Sequence, residues 1–326
     1  MSSSKIDITA FDNKRILIVG DIILDEFIYT HSDRNSPEYT NTPILNITKK
    51  NEYLGGAANV ALNIKKLNAI PYLIGTLGKD EAAEIIMRLL QEENISKEYI
   101  YQNNGIKTTK KTRLFKDELP VCRIDDETIL SETTQSNQTI LTNIQKAIEQ
   151  HKPEAIILQD YNKGVLNIKI IPQIIALAKQ HQLLITVDPK FKHWELFKNV
   201  DLFKPNKHEL LATGKTLMLN DNTIVNISKV LHQKINYKNI LVTLGADGNF
   251  MFDGVNTPIT NPTLHLTQPD VCGAGDTVIA VATLSLLCKF TLAQIAKISN
   301  IAGFIVCQKK HVQPVELNEL ANSLNK

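Results

Sequence analysis

The 326-residue chain has only four cysteines, Cys122, Cys272, Cys288 and Cys307, and no two of them form a CxxC pair. Three of the four fall in apolar stretches where cysteine acts as a small hydrophobe. A reduced, cytoplasmic protein is the expectation. An excess of one charge is missing as well: 36 lysines and arginines face 34 acidic residues, a net charge of +2. The whole molecule therefore has no field that would recruit nucleic acid or a membrane surface. No run approaches the roughly 18 apolar residues of a membrane span, and the opening MSSSKIDITAFDNKR lacks the apolar core of a signal peptide. No internal repeat is present, and the one polar low-complexity stretch, SETTQSNQT (131 to 139), reads as a surface loop leading into a helix.

What is present is a hydrophobic content of 43%, enough for a substantial core. RILIVGD (15 to 21) is a short apolar run closed by glycine and aspartate, and AIILQD, LLITVDPK, VDLFKPN and ILVTLGADG repeat the design. Segments with helical spacing, IKIIPQIIALAKQ and TIVNISKVLHQKI, lie between them. Alternation of this kind predicts an α/β fold with a doubly wound, mostly parallel sheet flanked by helices. Ligands bind beyond the carboxyl ends of such strands, where Asp21, Asp160, Asp188, Asn206 and Gly245 fall. Two stretches fit poorly, residues 26 to 50 and 107 to 125. Their short alternating runs, rich in threonine, tyrosine or charge, predict a small antiparallel β lid on a single domain spanning 1 to 326.

The stretch DVCGAGD (270 to 276) enters the apolar TVIAVATLSLLCKF, so Gly273, Ala274 and Gly275 bring bare amides to a helix start. Such a start binds anions. Asp276 in the first turn stands where a carboxylate can take a proton from a hydroxyl attacking a phosphate, although a glycine cap with a carboxylate on the helix dipole has the same pattern. Val278 occupies the place of the third glycine in a dinucleotide fingerprint, and Glu209 blocks a P-loop reading of TGKT (213 to 216). Upstream, Gly55 and Gly56 precede a helix carrying Asn59. That arrangement is either a tight turn with a cap or a backbone and amide surface for a polyol.

GGAAN followed at a distance by DVCGAGD resembles the ribokinase-like (PfkB) carbohydrate kinases, and the resemblance extends over nearly the whole chain. KPNKHE is similar to that family's asparagine and glutamate beside magnesium and phosphates, here Asn206 and Glu209, with Glu209 touching the metal through water. TLGADG is similar to the nucleotide loop, which places Thr243, Gly245 and Gly248 there, and Asn300 falls on the helix beside the adenine. VGDIILDEF, SDRNSPEYTNTPI, QDYNKGVL and VDPK resemble the family's kinases of D-glycero-β-D-manno-heptose 7-phosphate. The resemblance implies ATP with Mg2+, a monovalent cation as a further ion, and a homodimer through the lid. It also implies phosphorylation of the anomeric hydroxyl for ADP-heptose and lipopolysaccharide synthesis.

By the same resemblance Asp21 and Asp25 bond sugar hydroxyls, with Asp160 at the neighbouring strand end. A substrate that already bears a phosphate needs a second anion site, for which Lys163, Lys190 and Arg123 are the candidates. Asp270 is read as shaping the anion loop or an ion site. Cys272 departs from a threonine, and Phe191 from a glycine after the lysine. No HxGH surrounds any of the eight histidines, so a separate nucleotidyltransferase is expected. Two other readings remain: a kinase of another sugar, and a silent sensor of a sugar phosphate or nucleotide, which Cys272 alone favours.

Overall fold

The computed structural model describes residues 6–130, 134–264 and 266–325. In chain order its strands are β1 (Arg15–Gly20), β2 (Ile22–His31), β3 (Asn46–Gly56), β4 (Ile70–Leu77), β5 (Ile100–Gln102), β6 (Thr109–Lys116), β7 (Leu119–Asp126), β8 (Ala155–Gln159), β9 (Leu184–Asp188), β10 (Leu202–Phe203), β11 (Asn239–Thr243), β12 (Asn249–Phe252) and β13 (Ile259–Asn261). The helices are α1 (Ala57–Lys66), α2 (Glu81–Glu92), α3 (Thr134–His151), α4 (Ile171–Gln180), α5 (Lys207–Thr216), α6 (Ile224–Ile235), α7 (Ala274–Leu287), α8 (Leu292–Cys307) and α9 (Leu317–Leu324). None is long and apolar enough, among the described residues, to cross a membrane.

The large sheet has the order β13-β12-β11-β10-β9-β8-β1-β4-β5. From β11 to β5 every pairing is parallel, and β12 and β13 add an antiparallel edge. Period-two burial divides each inner strand between two cores. Ile16 and Ile18 pack with α1, α2, α7, α8 and α9, whereas Leu17 and Val19 pack with α3, α4, α5 and α6. Every expected strand is found, and the doubly wound α/β reading holds. Helix α7 is buried along most of its length, as an all-round apolar sequence requires. Its threonine hydroxyls pair inside: Thr277 donates to the Asn63 amide oxygen over 2.9 Å, and Thr283 lies 2.8 Å from Thr186.

The chain passes from β1 to β4 on one side and to β8 on the other, so the sheet's switch point lies between β1 and β8, and ligand sites belong at the carboxyl ends there. Asp21 follows β1 and Asp160 follows β8. The two strands approach so closely that a Cβ on Gly20 would stand 2.0 Å from the Gln159 carbonyl oxygen.

The lid is a four-stranded sheet of order β3-β2-β6-β7. It is larger than residues 26 to 50 and 107 to 125 suggest, because β2 begins one residue after β1 and its first residues, Ile22 to Leu24, are buried like core. It is also mixed rather than antiparallel. Strands β2 and β6 run side by side in the same direction, and β3 and β7 return against them. Of SETTQSNQT, residues 131 to 133 lie outside the described residues, and α3 starts at Thr134.

Replacing Gly20 by alanine forces a clash with backbone that has no side chain to move aside. The variant should lose about 2 to 3 kcal/mol of stability in thermal or denaturant unfolding. Gly105→Ala, where only a side-chain oxygen stands 3.3 Å away, should change it little.

Candidate active site

The anion loop and the first turn of α7 sit at the floor of a cleft of about 760 Å³. Gly273 caps the helix in the left-handed region, with φ of 77°, which L side chains adopt only under strain. A Cβ there would also meet the Asn59 amide nitrogen at 2.7 Å. Asp270 ties this loop down: its carboxylate accepts from the amides of Cys272 at 3.1 Å and His311 at 2.7 Å. Of the two readings of Asp270, shaping the loop is the one its bonds carry. Burial pushes the Cys272 thiol up to about 11, so it stays protonated beside that loop.

Asp276 is 3% exposed. Its Oδ2 accepts from the Asn59 side-chain amide at 2.8 Å, and its Oδ1 from Gln159 at 3.0 Å and the Tyr161 hydroxyl at 2.9 Å. Burial pushes the carboxyl up to about 7, the Asp188 and Asp25 charges adding to it and the Asn59 and Tyr161 hydrogen bonds opposing it. A carboxylate held there is a base near neutrality, positioned beside amides suited to a phosphoryl group.

Along the cleft wall, Asn206 caps α5 in a reciprocal box with Glu209, each bonding the other's backbone amide at 2.8 and 2.9 Å. Glu209 also pairs with Lys190, and Lys204 with Asp188 at 3.0 Å. Thr243, Gly245, Gly248 and Asn300 line the same cleft. Gly248, at φ of 89°, packs so tightly that a Cβ would fall 1.9 Å from the Asn261 carbonyl. Asn300 donates to the Pro262 carbonyl at 2.9 Å and so anchors the cleft wall. TGKT lies within and at the end of α5, consistent with its dismissal as a P-loop. Phe191 is exposed and is not among the residues of positive φ, so the backbone there does not need glycine.

On the lid side, Asp21 is fully buried, and its carboxylate accepts from the amides of Tyr161, Lys163 and Val165 at 2.8, 3.0 and 3.1 Å. Its work is to fold the loop after β8. Asp160 beside it has one oxygen bonded to the Asn162 amide at 2.7 Å and the other buried without a partner among the described residues. Burial and the Asp21 charge push it up to about 7. Gly55 leaves room for Asp25, whose Oδ2 would otherwise stand 2.1 Å from a Cβ; Gly56, at φ of 57°, passes the Asp21 carbonyl. Asn59 is directed at Asp276 rather than left open for a polyol.

The cation candidates divide. Lys190 and Lys163 both reach the region, paired with Glu209 and Glu127. Arg123 is 56% exposed on β7 and is engaged by Asp125 at 2.8 Å. Sequence reasoning missed two neighbours of the site on β6. Arg113 donates to Asp25 at 2.6 Å, and half-buried Lys111 rests 4.8 Å from the Tyr161 ring centre with no carboxylate in salt-bridge reach among the described residues. The signal was present in the alternation of Lys111 and Arg113, which places both on one face of the lid strand with Asp25 and Phe27 alongside. Gln159 and Tyr161, which complete the hold on Asp276, were also missed.

Residues 13–318 match the pfkB family carbohydrate kinase model. The bifunctional protein HldE of Magnetococcus marinus is 31% identical over 317 residues, covering 97% of this chain and 65% of that protein. HldE of Helicobacter pylori strain P12 is 35% identical over 315 residues, covering 96% and 67%. The chain thus spans about two thirds of the length of these curated relatives. Among solved structures, phosphofructokinase-2 from Escherichia coli in complex with potassium aligns with a TM-score of 0.76 at 19% identity, covering 96% of this chain and 100% of that one. Ribokinase from Arabidopsis thaliana complexed with ribose and ATP aligns at 0.73 and 18%, covering 96% and 99%. At such identities the likeness is one of fold, the ribokinase-like α/β fold. With the family model matching nearly end to end, and glycine amides and a buried carboxylate at the start of α7, the chain belongs to the pfkB family of carbohydrate kinases.

Proposed function

We propose that the protein transfers the γ-phosphoryl group of ATP to the anomeric hydroxyl of D-glycero-β-D-manno-heptose 7-phosphate, giving the 1,7-bisphosphate. The observation that carries the reaction type is Asp276, buried directly after the loop that brings the Gly273 and Gly275 amides to the start of α7, and pushed up to about 7. Asp276 takes the hydroxyl proton as the oxygen attacks phosphorus, and the loop amides receive charge on the transferring oxygens. Asn206, Thr243 to Gly248 and Asn300 hold the nucleotide along the cleft. The similarity to HldE proteins supports the heptose, and the route to ADP-heptose and lipopolysaccharide follows from it. Those relatives are named bifunctional, so the reading requires a nucleotidyltransferase activity without requiring a separate protein.

Magnesium fits the donor set. Glu209 brings a carboxylate to the cleft, and no group of three or more candidate ligands occurs among the described residues. Mg2+ bound with a nucleotide keeps several waters and needs only one or two carboxylates besides the phosphates. Glu209 would hold it through water, and when bound the ion supplies positive charge to the phosphates.

On the sugar side, the unpartnered oxygen of Asp160 and the Asp25 carboxylate accept hydroxyls. The sugar phosphate lies among Lys111, Arg113 and Lys163, with Arg123 on the adjoining strand directly opposite Arg113. Lys111 is the strongest of these candidates because burial works against its charge, and Asp25 and Asp125 favour that charge only from beyond salt-bridge reach among the described residues. The lid also presents exposed Leu119, Val121 and Ile124 along edge strand β7. An apolar edge of this kind calls for a cover, here a second copy of the lid.

The first test is ADP release with Mg·ATP and the heptose phosphate, beside ribose and fructose 6-phosphate. Release confined to the heptose phosphate is expected, with kcat/KM rising as pH climbs through about 7 because the base must be ionised. Asp276→Asn should bind nucleotide and lose about 10²-fold or more in kcat; a variant keeping a tenth of the rate contradicts the base. Release only with another sugar moves the substrate elsewhere in the family, and binding without release favours a sensor. Lys111→Met should raise KM for the phosphorylated sugar about tenfold or more and leave KM for ATP in place. Light scattering should report a dimer for the wild type and a smaller species for Val121→Asp.

A further inference from the structure

Asp276 has more neighbours than a base requires, and their arrangement is informative. A carboxylate offers about four acceptor sites, two on each oxygen. Gln159 and Tyr161 fill those of Oδ1, and Asn59 takes one on Oδ2, which leaves a single site on Oδ2. Tyr161 differs from the two amides in where it is anchored. Its backbone amide donates to buried Asp21, and its ring lies under two ammonium groups, Lys111 from β6 at 4.8 Å and Lys190 from the segment after β9 at 5.0 Å. The phenol is held well above its ordinary range by burial and by the Asp276 and Asp188 charges, so it stays a donor.

We propose that Tyr161 is a positioning residue for the base: its hydroxyl occupies Oδ1 and turns the last free acceptor site of Asp276, on Oδ2, toward the sugar hydroxyl, while the two ammonium groups on its ring fix the phenol in that pose. The inference rests on the reading of Asp276 as the base. Because the phenol donates to the ionised carboxylate, it favours the ionised form. The other charges that Asp276 faces are Asp188 at the end of β9, itself paired with Lys204, then Asp25 on β2, paired with Arg113, and Lys190, paired with Glu209. None of them is altered when the hydroxyl alone is removed.

The test is Tyr161→Phe, which keeps the ring under both ammonium groups. Its acid limb in the kcat/KM profile should move up by about one pH unit, costing about tenfold in rate below the limb, with most of the rate recovered at high pH and KM for ATP unchanged. A uniform loss with the midpoint unmoved would overturn the proposal, since a merely structural tyrosine would have that effect. If thermal melting shows that Tyr161→Phe does not fold, replacing Tyr161 by 3-fluorotyrosine decides the matter. The stronger donor should move the limb down, and an unmoved limb overturns the role. Asp276→Asn run in parallel separates the two ideas: if it remains active the base assignment fails whatever Tyr161 does, and if it is inactive while the limb stays fixed only the role of Tyr161 fails.

Discussion

Holding a carboxylate at the buried start of α7 is the constraint on which the rest of the site depends. Removing Asp276 from water is costly, and it is balanced by neutral donors from three places, Asn59 on α1, Gln159 at the end of β8 and Tyr161 in the loop beyond it. Neutral donors suit this purpose better than a lysine would. An ammonium at hydrogen-bond distance would hold the carboxyl far below neutrality, whereas amides and a phenol leave it at about 7, still able to take a proton. The donors in turn fix the architecture around them. Gln159 bonds both Asp276 and Asp188, so the ends of β8 and β9 and the start of α7 must stay in register. Gly20 must lack a side chain for β1 to lie against the Gln159 carbonyl.

The cations follow a different rule. Lys190 and Lys204 line the cleft already paired with Glu209 and Asp188, and burial of each charge is answered by its partner. Pairs of this kind neutralise the cleft lining, and an entering anion would compete for their ammonium groups. Lys111 has no carboxylate in salt-bridge reach among the described residues, and the Tyr161 ring is a weaker counterpart than a carboxylate. An anion arriving at the lid therefore gains most at that position.

Much of this was legible in the sequence where the chemistry is local. Glycine amides, helix start and aspartate lie within seven residues of DVCGAGD, and the apolar runs ending in polar residues located the strands β1, β8, β9, β10 and β11. Partners that meet across the fold were harder to read. Arg123 and Arg113 carry the same charge and stand opposite each other on one face of the lid, and only their partners and strands separate them: Asp25 on β2 holds half-buried Arg113, while Asp125 on edge strand β7 holds exposed Arg123. Asp21 is a sugar ligand by resemblance alone, and nothing local to it announces that three amides of the loop after β8 converge on its carboxylate. The mixed lid was illegible for a related reason, since β2 and β6 are far apart in the chain and nothing local to either announces that they pair in parallel.

The same long-range pairing explains why the lid can matter to the base at all. Strand β2 leaves β1 after a single residue, Asp21, and that residue also holds the loop carrying Tyr161 and Lys163. Strand β6 pairs with β2 along its length and lays Lys111 over Tyr161. The lid is thus tied to the site at two points, through Asp21 between β1 and β2 and through the Lys111 ammonium on the ring whose hydroxyl holds Asp276. Phosphoryl transfer is mostly a matter of position and charge. On the proposed reading, a fold that ties its lid and its base to the same loop couples the position of the sugar to that of the base.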